Sequence, residues 1–346
     1  MTNGDNGSRG WRMPAETSPQ SRVWMAWPSS GYTLGDTEDV ADAARRTWAA
    51  VANAVVAFEP VTMVVAPGQD DVAARFLDER VERTTAPLDD AWMRDIGPTF
   101  VRDASGALGA VDWVFNGWGA QSWASWEHDA EIGELVGRLA GAEVLDSPIV
   151  NEGGGFHVDG EGTALLTETV QLDPGRNPGK TRADIETELR RTLGVTRCIW
   201  LPRGLTRDYA EFGTRGHVDI VATFPSPGVV LVHDQEDPEH PDHAVTREVV
   251  QVLSNAVDAA GRTLKIVRIP APATGFDDEG PVDYSYVNHL VVNGGVIACT
   301  FDDPHDARAV EVLERVYPGR RVVGVDAREL YARGGGIHCI TQQQPA

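Results

Sequence analysis

An α/β fold built from about five repeats of one structural unit is predicted by three observations on this 346-residue chain. Segments with apolar residues at helical spacing alternate with short β-branched runs, which is typical of α/β folds. Predicted hairpins begin near residues 99, 156, 218 and 286, and the terminal segment around Cys339 is expected to join the first strand. Radial repetition of such units protects their sheet edges, so we expect a closed ring.

Helices are predicted where apolar residues recur at helical spacing, at 37–58, 70–80, 132–139, 182–193, 245–260 and 307–317. Asp36 or Thr37 is the expected N-cap of the first. Strands are predicted in short apolar runs, at 22–28, 61–65, 100–101, 109–115, 144–145, 163–168, 197–201, 217–224, 228–232, 263–269, 285–292, 296–300, 321–325 and 337–341. Turn residues separate them at 103–106, 160–162, 225–228 and 293–295.

Composition indicates a folded cytoplasmic protein, with 42% hydrophobic residues. Residues 1–12 are polar and rich in Gly and Asn, so we expect a disordered tail without a secretory signal. No apolar run approaches the length of a membrane span, which argues against a membrane partner. Three cysteines, Cys198, Cys299 and Cys339, are too few and too scattered for a disulfide framework or a zinc cluster.

The net charge of −22, from 52 acidic and 30 basic residues, argues against a nucleic acid partner, because phosphate binding needs the opposite sign. An acidic surface would favour the approach of a cationic ligand. A solubilising surface is the better account of most of this charge.

Polar residues recur at one place in the repeat, just before the hairpin: Asp95, Glu152 and His217. Loops at equivalent positions of a closed ring converge on one central channel, so these side chains are expected to meet. Gly334–Gly336 precede Cys339, and three glycines allow close backbone approach or a positive φ. A thiol presented in this way suits covalent catalysis. The alternative is a buried cysteine closing a terminal strand.

His217 and Asp219 are two residues apart, so on a strand both would face one cavity. The alternatives are a hydrogen-bonded core histidine for His217 and a helix-capping carboxylate for Asp95. A metal-binding His-x-Asp pair lacks further ligands at the usual spacing. The segment 233–243 is dense in potential metal ligands, but its prolines and charges indicate a solvated loop.

One cysteine, one histidine and three carboxylates in loops suit a guanidinium substrate better than an acyl substrate. Facing carboxylates repel one another unless they share a cation, and a planar guanidinium can satisfy both through paired hydrogen bonds. A cysteine peptidase would instead need an oxyanion hole and an open cleft.

The chain resembles the agmatine deiminase family, in the guanidino-group-modifying superfamily that includes the bacterial peptidylarginine deiminases. Motifs that carry the resemblance run through nearly the whole chain, and they include 13–16, 24–28, 92–100, 116–119, 152–154, 157–162, 176–178, 216–219, 285–288, 293–297, 324–329 and 337–343. The resemblance implies a five-bladed α/β propeller, the pentein fold with pseudo-fivefold repeats, as one catalytic domain over residues 13–346. It also implies a homodimer.

The resemblance further implies hydrolysis of agmatine to N-carbamoylputrescine and ammonia, a step in putrescine and polyamine biosynthesis, without metal or organic cofactor. Cys339 would be the nucleophile, attacking to give an amidino-thioether. Asp95 and Asp219 would grip the guanidinium, and His217 would be the acid and base. Glu152 would orient His217, while Trp92 would wall the pocket.

Two residues depart from the family pattern, because Arg215 and Gly336 stand where the family commonly has asparagine. Both are expected near the mouth of the pocket, as substrate-binding residues. Arg215 there could favour a carboxylate-bearing guanidine, so the same chemistry on arginine, peptidyl arginine or a guanidino metabolite is the alternative function. A non-catalytic guanidine-binding propeller and a metal-dependent amidinohydrolase are the other rivals.

Overall fold

A computed structural model describes residues 10–346, whose strands form five mixed sheets and one two-stranded hairpin, Phe276–Asp277 with Gly280–Pro281. Numbered in chain order, sheet I consists of Thr341–Pro345, Gln20–Ala26, Val61–Val65 and Glu82–Thr85. Sheet II consists of Thr99–Arg102, Leu108–Val114 and Glu143–Val150. Sheet III consists of Phe156–Val158, Thr163–Thr167 and Arg197–Leu201. Sheet IV consists of Ala222–Ser226, Val229–Asp234 and Lys265–Pro270. Sheet V consists of Leu290–Val292, Gly295–Thr300 and Arg321–Asp326.

Every one of the five sheets begins with an antiparallel pair and continues with a parallel pair. In sheet I the antiparallel pair joins the two ends of the chain, with Trp24 opposite Gln342. The predicted union of the terminal segment with the first strand is therefore confirmed. A turn containing polar residues leads into the first strand of each sheet, and these five turns position the candidate site.

Helices of eight or more residues in the described chain are Glu38–Val55, Ile132–Leu139, Arg182–Leu193, Asp242–Asn255 and Asp306–Val316. Single helical turns are Gly31–Leu34, Asp70–Ala73, Met93–Ile96, Gly117–Ala120, Glu168–Gln171 and Arg328–Tyr331. Short 3₁₀ turns are Asp129–Glu131, Gly153–Gly155, Arg207–Tyr209 and Val218–Ile220. The Thr37 side chain accepts a hydrogen bond from the Val40 amide, which confirms it as the N-cap of Glu38–Val55.

The predicted helix 70–80 is wrong beyond Ala73. Asn53 on the preceding helix binds this segment, donating to the Phe76 carbonyl at 3.1 Å and accepting from the Asp78 amide at 2.8 Å. Both backbone groups are thereby held by a side chain rather than by a continuing helix, so the chain turns.

Three predicted strands begin later than expected. His217–Val221 form a turn rather than a strand, since the Asp208 carboxylate accepts from the amides of Gly216 at 2.6 Å and His217 at 3.0 Å. Residues 285–289 and 337–340 are also turns, and the strands start at Leu290 and Thr341. Turns that close around side chains, as here, cannot be distinguished from strands by apolar alternation.

Residues 1–9 of the predicted tail lie outside the described residues, whereas Trp11 and Arg12 belong to the fold. Trp11 is buried in an apolar cluster with Met13, and Arg12 exchanges two backbone hydrogen bonds with Arg102 at 2.8 and 2.9 Å. The fold thus includes residues before the predicted boundary at residue 13. Across residues 10–346 no helix has the length and apolar character needed to cross a bilayer.

Candidate active site

Direct hydrogen bonds link the five turns that precede the sheets. The Arg94 amide donates to the Cys339 carbonyl at 3.0 Å, and the Gly154 amide donates to Asp95 Oδ1 at 3.1 Å. The His338 amide donates to Asn288 Oδ1 at 3.0 Å, and Asn288 Nδ2 donates to the Asp219 carbonyl at 3.4 Å. Residues far apart in the chain are therefore held around one buried centre, as the recurrence of polar residues predicted.

Cys339 lies in the turn that directly precedes the last strand, Thr341–Pro345. Its side chain is buried, with Sγ 3.2 Å from Asn288 Nδ2 and 3.5 Å from Asp219 Oδ2. A Cβ on Gly335 would lie 3.1 Å from this sulfur and 2.7 Å from Trp92 Cζ3. Gly334 has a φ of +104°. The prediction of close approach and positive φ in the glycine run is confirmed.

Burial raises the pKa of the Cys339 thiol well above its usual value, and the Asp219 and Asp95 carboxylates raise it further. The Gly336 amide and Asn288 oppose this by donating hydrogen bonds to the sulfur. Neutralisation of the two carboxylates by a cation would therefore lower the thiol pKa.

The Asp95 carboxylate accepts hydrogen bonds from the Gly154 amide and from Trp118 Nε1 at 2.9 Å. Both donors come from other segments, so the alternative of a residue that only caps a helix does not describe it. Burial raises the pKa of Asp95 to about 6, with nearby Glu152 and Asp219 raising it and His217 lowering it.

His217 lies between two carboxylates. Its Nε2 is 3.1 Å from Glu152 Oε2, and its Nδ1 is 3.9 Å from Asp95 Oδ2. Burial opposes the charged imidazole, but Asp95, Glu152 and Asp219 outweigh it and raise the His217 pKa to about 9. The core-histidine alternative accounts for the Glu152 contact but leaves Nδ1 without a hydrogen-bond partner among residues 10–346.

Glu152 is fully buried and bound by Arg176, whose Nε lies 2.9 and 3.0 Å from its two oxygens. Burial alone would raise the Glu152 pKa, yet Arg176 and His217 lower it to about 2. Arg176 also pairs with Asp173 at 3.0 Å. Glu152 is thus ionised at neutral pH and lies in hydrogen-bond contact with the His217 ring.

Asp219 reaches the same centre although its segment is a turn and not the predicted strand. Its Oδ2 is 2.9 Å from His338 Nδ1, while its Oδ1 has no hydrogen-bond partner in the described chain. Burial opposes ionisation of Asp219, but His338, His217 and Arg94 lower its pKa.

The three predicted pocket-lining residues have different surroundings. Trp92 is buried, donates to the Tyr32 hydroxyl at 3.1 Å and packs against the glycine run. A Cβ on Gly336 would lie 2.4 Å from Asn288 Oδ1, so this glycine makes room for Asn288. Arg215 is paired with Asp173 at 3.1 Å and has a φ of +69°.

Sequence reasoning gave no role to Asn288, Arg176, Trp118 or His338, all of which contact the predicted residues. Asn288 could have been found, because it occupies the turn before sheet V, the one repeat for which no polar residue was assigned. The other three depend on contacts between distant segments, for which the sequence has no local signal.

The segment 233–243 is only partly the solvated loop that was predicted. Residues 236–239 are exposed, whereas His233 and His240 are buried and bound to Ser285 Oγ at 3.1 Å and the Gly275 carbonyl at 2.9 Å. Within residues 10–346, no three His, Cys, Asp or Glu side chains are grouped so that they could hold a metal ion.

The fold and this site define an α/β protein with a buried cysteine, an imidazole and carboxylates suited to binding a cation. A sequence model of the Porphyromonas-type peptidyl-arginine deiminases matches residues 12–345, and the chain belongs to that family.

Named relatives are similar over nearly their full lengths. The chain is 57% identical to a Streptomyces coelicolor protein with the provisional name agmatine deiminase, over 97% of this chain and 99% of that protein. It is 40% identical to the agmatine deiminase of Pseudomonas fluorescens SBW25, over 97% and 96%. The solved agmatine deiminase of Enterococcus faecalis superposes with a TM-score of 0.92 at 33% identity, covering 100% of this chain and 98% of that one.

Proposed function

We propose that this protein is an agmatine deiminase, a hydrolase of carbon–nitrogen bonds in linear amidines that converts agmatine and water to N-carbamoylputrescine and ammonia. The observation that carries the proposal is the meeting of a thiol, an imidazole and two carboxylates at one buried centre. His217 Nδ1 and Asp219 Oδ1 have no hydrogen-bond partner among the described residues, as expected of atoms reserved for a ligand. Similarity to named agmatine deiminases supports the same conclusion.

A guanidinium bound between Asp95 and Asp219 would satisfy both carboxylates. Each carboxylate would accept hydrogen bonds from the planar guanidinium. Such charge-assisted hydrogen bonds fix the orientation of the guanidinium as well as its position. Asp219 Oδ2 lies 3.5 Å from Cys339 Sγ, so a guanidinium on this carboxylate would bring its carbon near the sulfur. Trp92 would form the wall on the side of the glycine run.

Binding of the cation would also activate the nucleophile. The same two carboxylates raise the thiol pKa of Cys339, and a guanidinium between them reverses that contribution. The thiol then releases its proton to solvent, and the thiolate attacks the guanidinium carbon, forming a carbon–sulfur bond as the carbon–nitrogen π electrons move onto nitrogen.

His217 would move the protons in both halves of the reaction. With a pKa of about 9 it is an imidazolium at neutral pH and gives a proton to the departing nitrogen as the carbon–nitrogen bond breaks. The neutral imidazole then takes a proton from water, which attacks the amidino-thioether. Cleavage of the carbon–sulfur bond releases the Cys339 thiolate, and the hydroxyl proton passes to ammonia or solvent to leave the neutral ureido product. Glu152 keeps the ring oriented throughout.

The surroundings of the site favour an amine over a carboxylate at the far end of the substrate. Arg215 is paired with Asp173, so its charge is already compensated. A cavity of about 560 Å³ borders Gly334 in the glycine run, and its lining carries Asp208, Glu211, Glu279 and Asp283 against one arginine, Arg207. This mainly acidic lining beside the glycine run would attract the ammonium group of agmatine and repel the carboxylate of arginine.

The remaining expectations from the family resemblance belong to the same proposal. Five sheets that share an antiparallel and then a parallel pairing support a closed five-bladed propeller, forming one catalytic domain that includes Trp11 and Arg12. We further propose a homodimer in the cytoplasm that supplies a precursor of putrescine.

The proposal is tested by ammonia and ureido formation from agmatine, arginine and a peptide ending in arginine, each with wild-type protein and the Cys339→Ser variant. We expect the highest kcat/KM for agmatine, and loss of turnover without loss of agmatine binding in the variant. Preference for arginine or the peptide would establish the alternative substrate. Turnover by the variant, or activity abolished by a chelator, would contradict the cysteine mechanism.

A further inference from the structure

One buried histidine next to the proposed nucleophile has no part in the mechanism above. His338 lies between two carboxylates, with Nδ1 2.9 Å from Asp219 Oδ2 and Nε2 2.9 Å from Glu16 Oε1. Glu16 belongs to the segment before the first strand and is itself buried. A residue near each end of the chain, Glu16 and His338, therefore lies beside Asp219.

The geometry determines the protonation of this group. A neutral imidazole carries one N–H and can donate to only one of two carboxylates, whereas an imidazolium donates to both. Two contacts of 2.9 Å to ionised oxygens therefore indicate a charged ring. Burial and Arg94 oppose that charge, but Glu16 and Asp219 outweigh them and raise the His338 pKa.

Further charged groups around His338 balance its positive charge and the negative charges of its carboxylate partners. Arg94 Nη1 is 3.5 Å from Glu16 Oε1, and Arg94 Nε donates to the His338 carbonyl at 3.2 Å. His157 Nε2 is 3.6 Å from Glu16 Oε2. The titratable and charged groups that face His338 from neighbouring segments are Glu16, Arg94, His157, Asp219, His289 and Cys339. Two ionised carboxylates thus stand against the charges of His338 and Arg94, which is a buried arrangement without large net charge.

We propose that Glu16 and His338 are positioning residues that hold Asp219 as a carboxylate in one orientation, leaving its Oδ1 for the guanidinium. This inference rests on the proposed function, because it takes Asp219 to be a substrate-binding residue. Occupation of Oδ2 by His338 limits rotation of the carboxylate and so preorganises Oδ1 for one edge of the substrate.

The inference is tested with His338→Gln and Glu16→Gln by measuring kcat and KM for agmatine from about pH 5 to pH 10. Loss of the His338 imidazole, or of the Glu16 carboxylate that keeps this imidazole charged, makes the Asp219 carboxylate easier to protonate. We expect kcat/KM at neutral pH to fall roughly 10- to 100-fold, mainly through a higher KM. The acid limb, set near pH 6 by Asp95 in the wild type, should move to higher pH, since Asp219 loses a neighbouring charge that lowers its pKa.

A matched control is His289→Gln, which changes another buried histidine that bonds to neutral oxygens. His289 lies 2.9 Å from the Tyr286 carbonyl and 2.8 Å from the Tyr317 hydroxyl. This variant should lose stability without displacing the acid limb. An acid limb that stays at its wild-type position in both test variants would overturn the inference.

Folding and activity failures remain distinguishable. Glu16→Gln preserves side-chain volume and leaves His338 in place, so it decides the matter if His338→Gln does not fold. Unfolding of both variants would assign the pair to stability and overturn a positioning role. If the wild-type protein turns over no guanidine at all, the proposed function itself is wrong. If the wild-type protein is active and the acid limb of kcat/KM stays at its wild-type pH in both variants, only this inference is refuted.

Discussion

Replacing Glu152 with glutamine removes one negative charge 3.1 Å from His217 Nε2 while preserving the shape of the side chain. The glutamine oxygen can still accept from Arg176, which also keeps its pairing with Asp173. The perturbation is therefore mainly electrostatic, and His217 is the group expected to respond.

The magnitude follows from the two groups that set the pH range of kcat/KM. In the free enzyme Asp95 has a pKa of about 6 and His217 of about 9, so activity should span that range. A neighbouring opposite charge shifts a pKa by roughly 1–3 units, and Asp95 and Asp219 remain to support the imidazolium. We therefore expect the basic limb of Glu152→Gln to move down by about 1–2 pH units. The acid limb should move less, because Glu152 makes only a secondary contribution to the pKa of Asp95.

The assay is ammonia release from agmatine at low substrate concentration across the pH range, with thermal unfolding measured in parallel. Glu188→Gln is a matched control, since Glu188 is also a buried glutamate paired with an arginine, Arg191. That variant should retain the wild-type limbs. A basic limb that remains near its wild-type pH in Glu152→Gln would refute the assignment of His217 as the acid held by Glu152.

Two further substitutions probe the approach of the glycine run and the state of Asp95. Gly335→Ala places a Cβ 2.7 Å from Trp92 Cζ3 and 3.1 Å from Cys339 Sγ, so we expect kcat to fall about 100-fold in steady-state assays because the nucleophile is displaced. Trp118→Phe removes a 2.9 Å donor to Asp95, so the carboxylate becomes easier to protonate and the acid limb of kcat/KM should rise by about one pH unit.

Controls for these two lie away from the site. Gly294→Ala adds a Cβ with no atom within 4 Å but at a positive φ of 73°, so it should lower the unfolding temperature and spare kcat. Trp200→Phe removes a comparable indole donor to Glu186 at 2.9 Å and should leave the pH profile unchanged. Wild-type kcat in Gly335→Ala, or an unmoved acid limb in Trp118→Phe, would contradict the respective argument.

Local patterns predicted much of the fold correctly. The helix Arg182–Leu193 and the strand Arg197–Leu201 have the predicted bounds, because Thr181 and Asp184 form a capping box and Gly194 ends the helix in a left-handed conformation. Signals of this kind reside within a few residues of one another. Where a distant side chain holds the backbone, as Asn53 holds residues 76–78 and Asp208 holds residues 216–217, the same patterns led to wrong assignments.

In the candidate site, too, local features could be predicted from the sequence, whereas features that depend on distant residues could not. Cys339, His217, Glu152, Asp95 and Asp219 were recognisable in the sequence, since chemically reactive side chains recur beside glycines and before hairpins. Their protonation was not recognisable, because it depends on charges brought together from separate repeats. Arg176 lowers the pKa of Glu152, three carboxylates raise the pKa of His217, and His338 lies between Asp219 and Glu16. Residue types are a property of the chain, whereas distances between their charges arise only when the five turns meet.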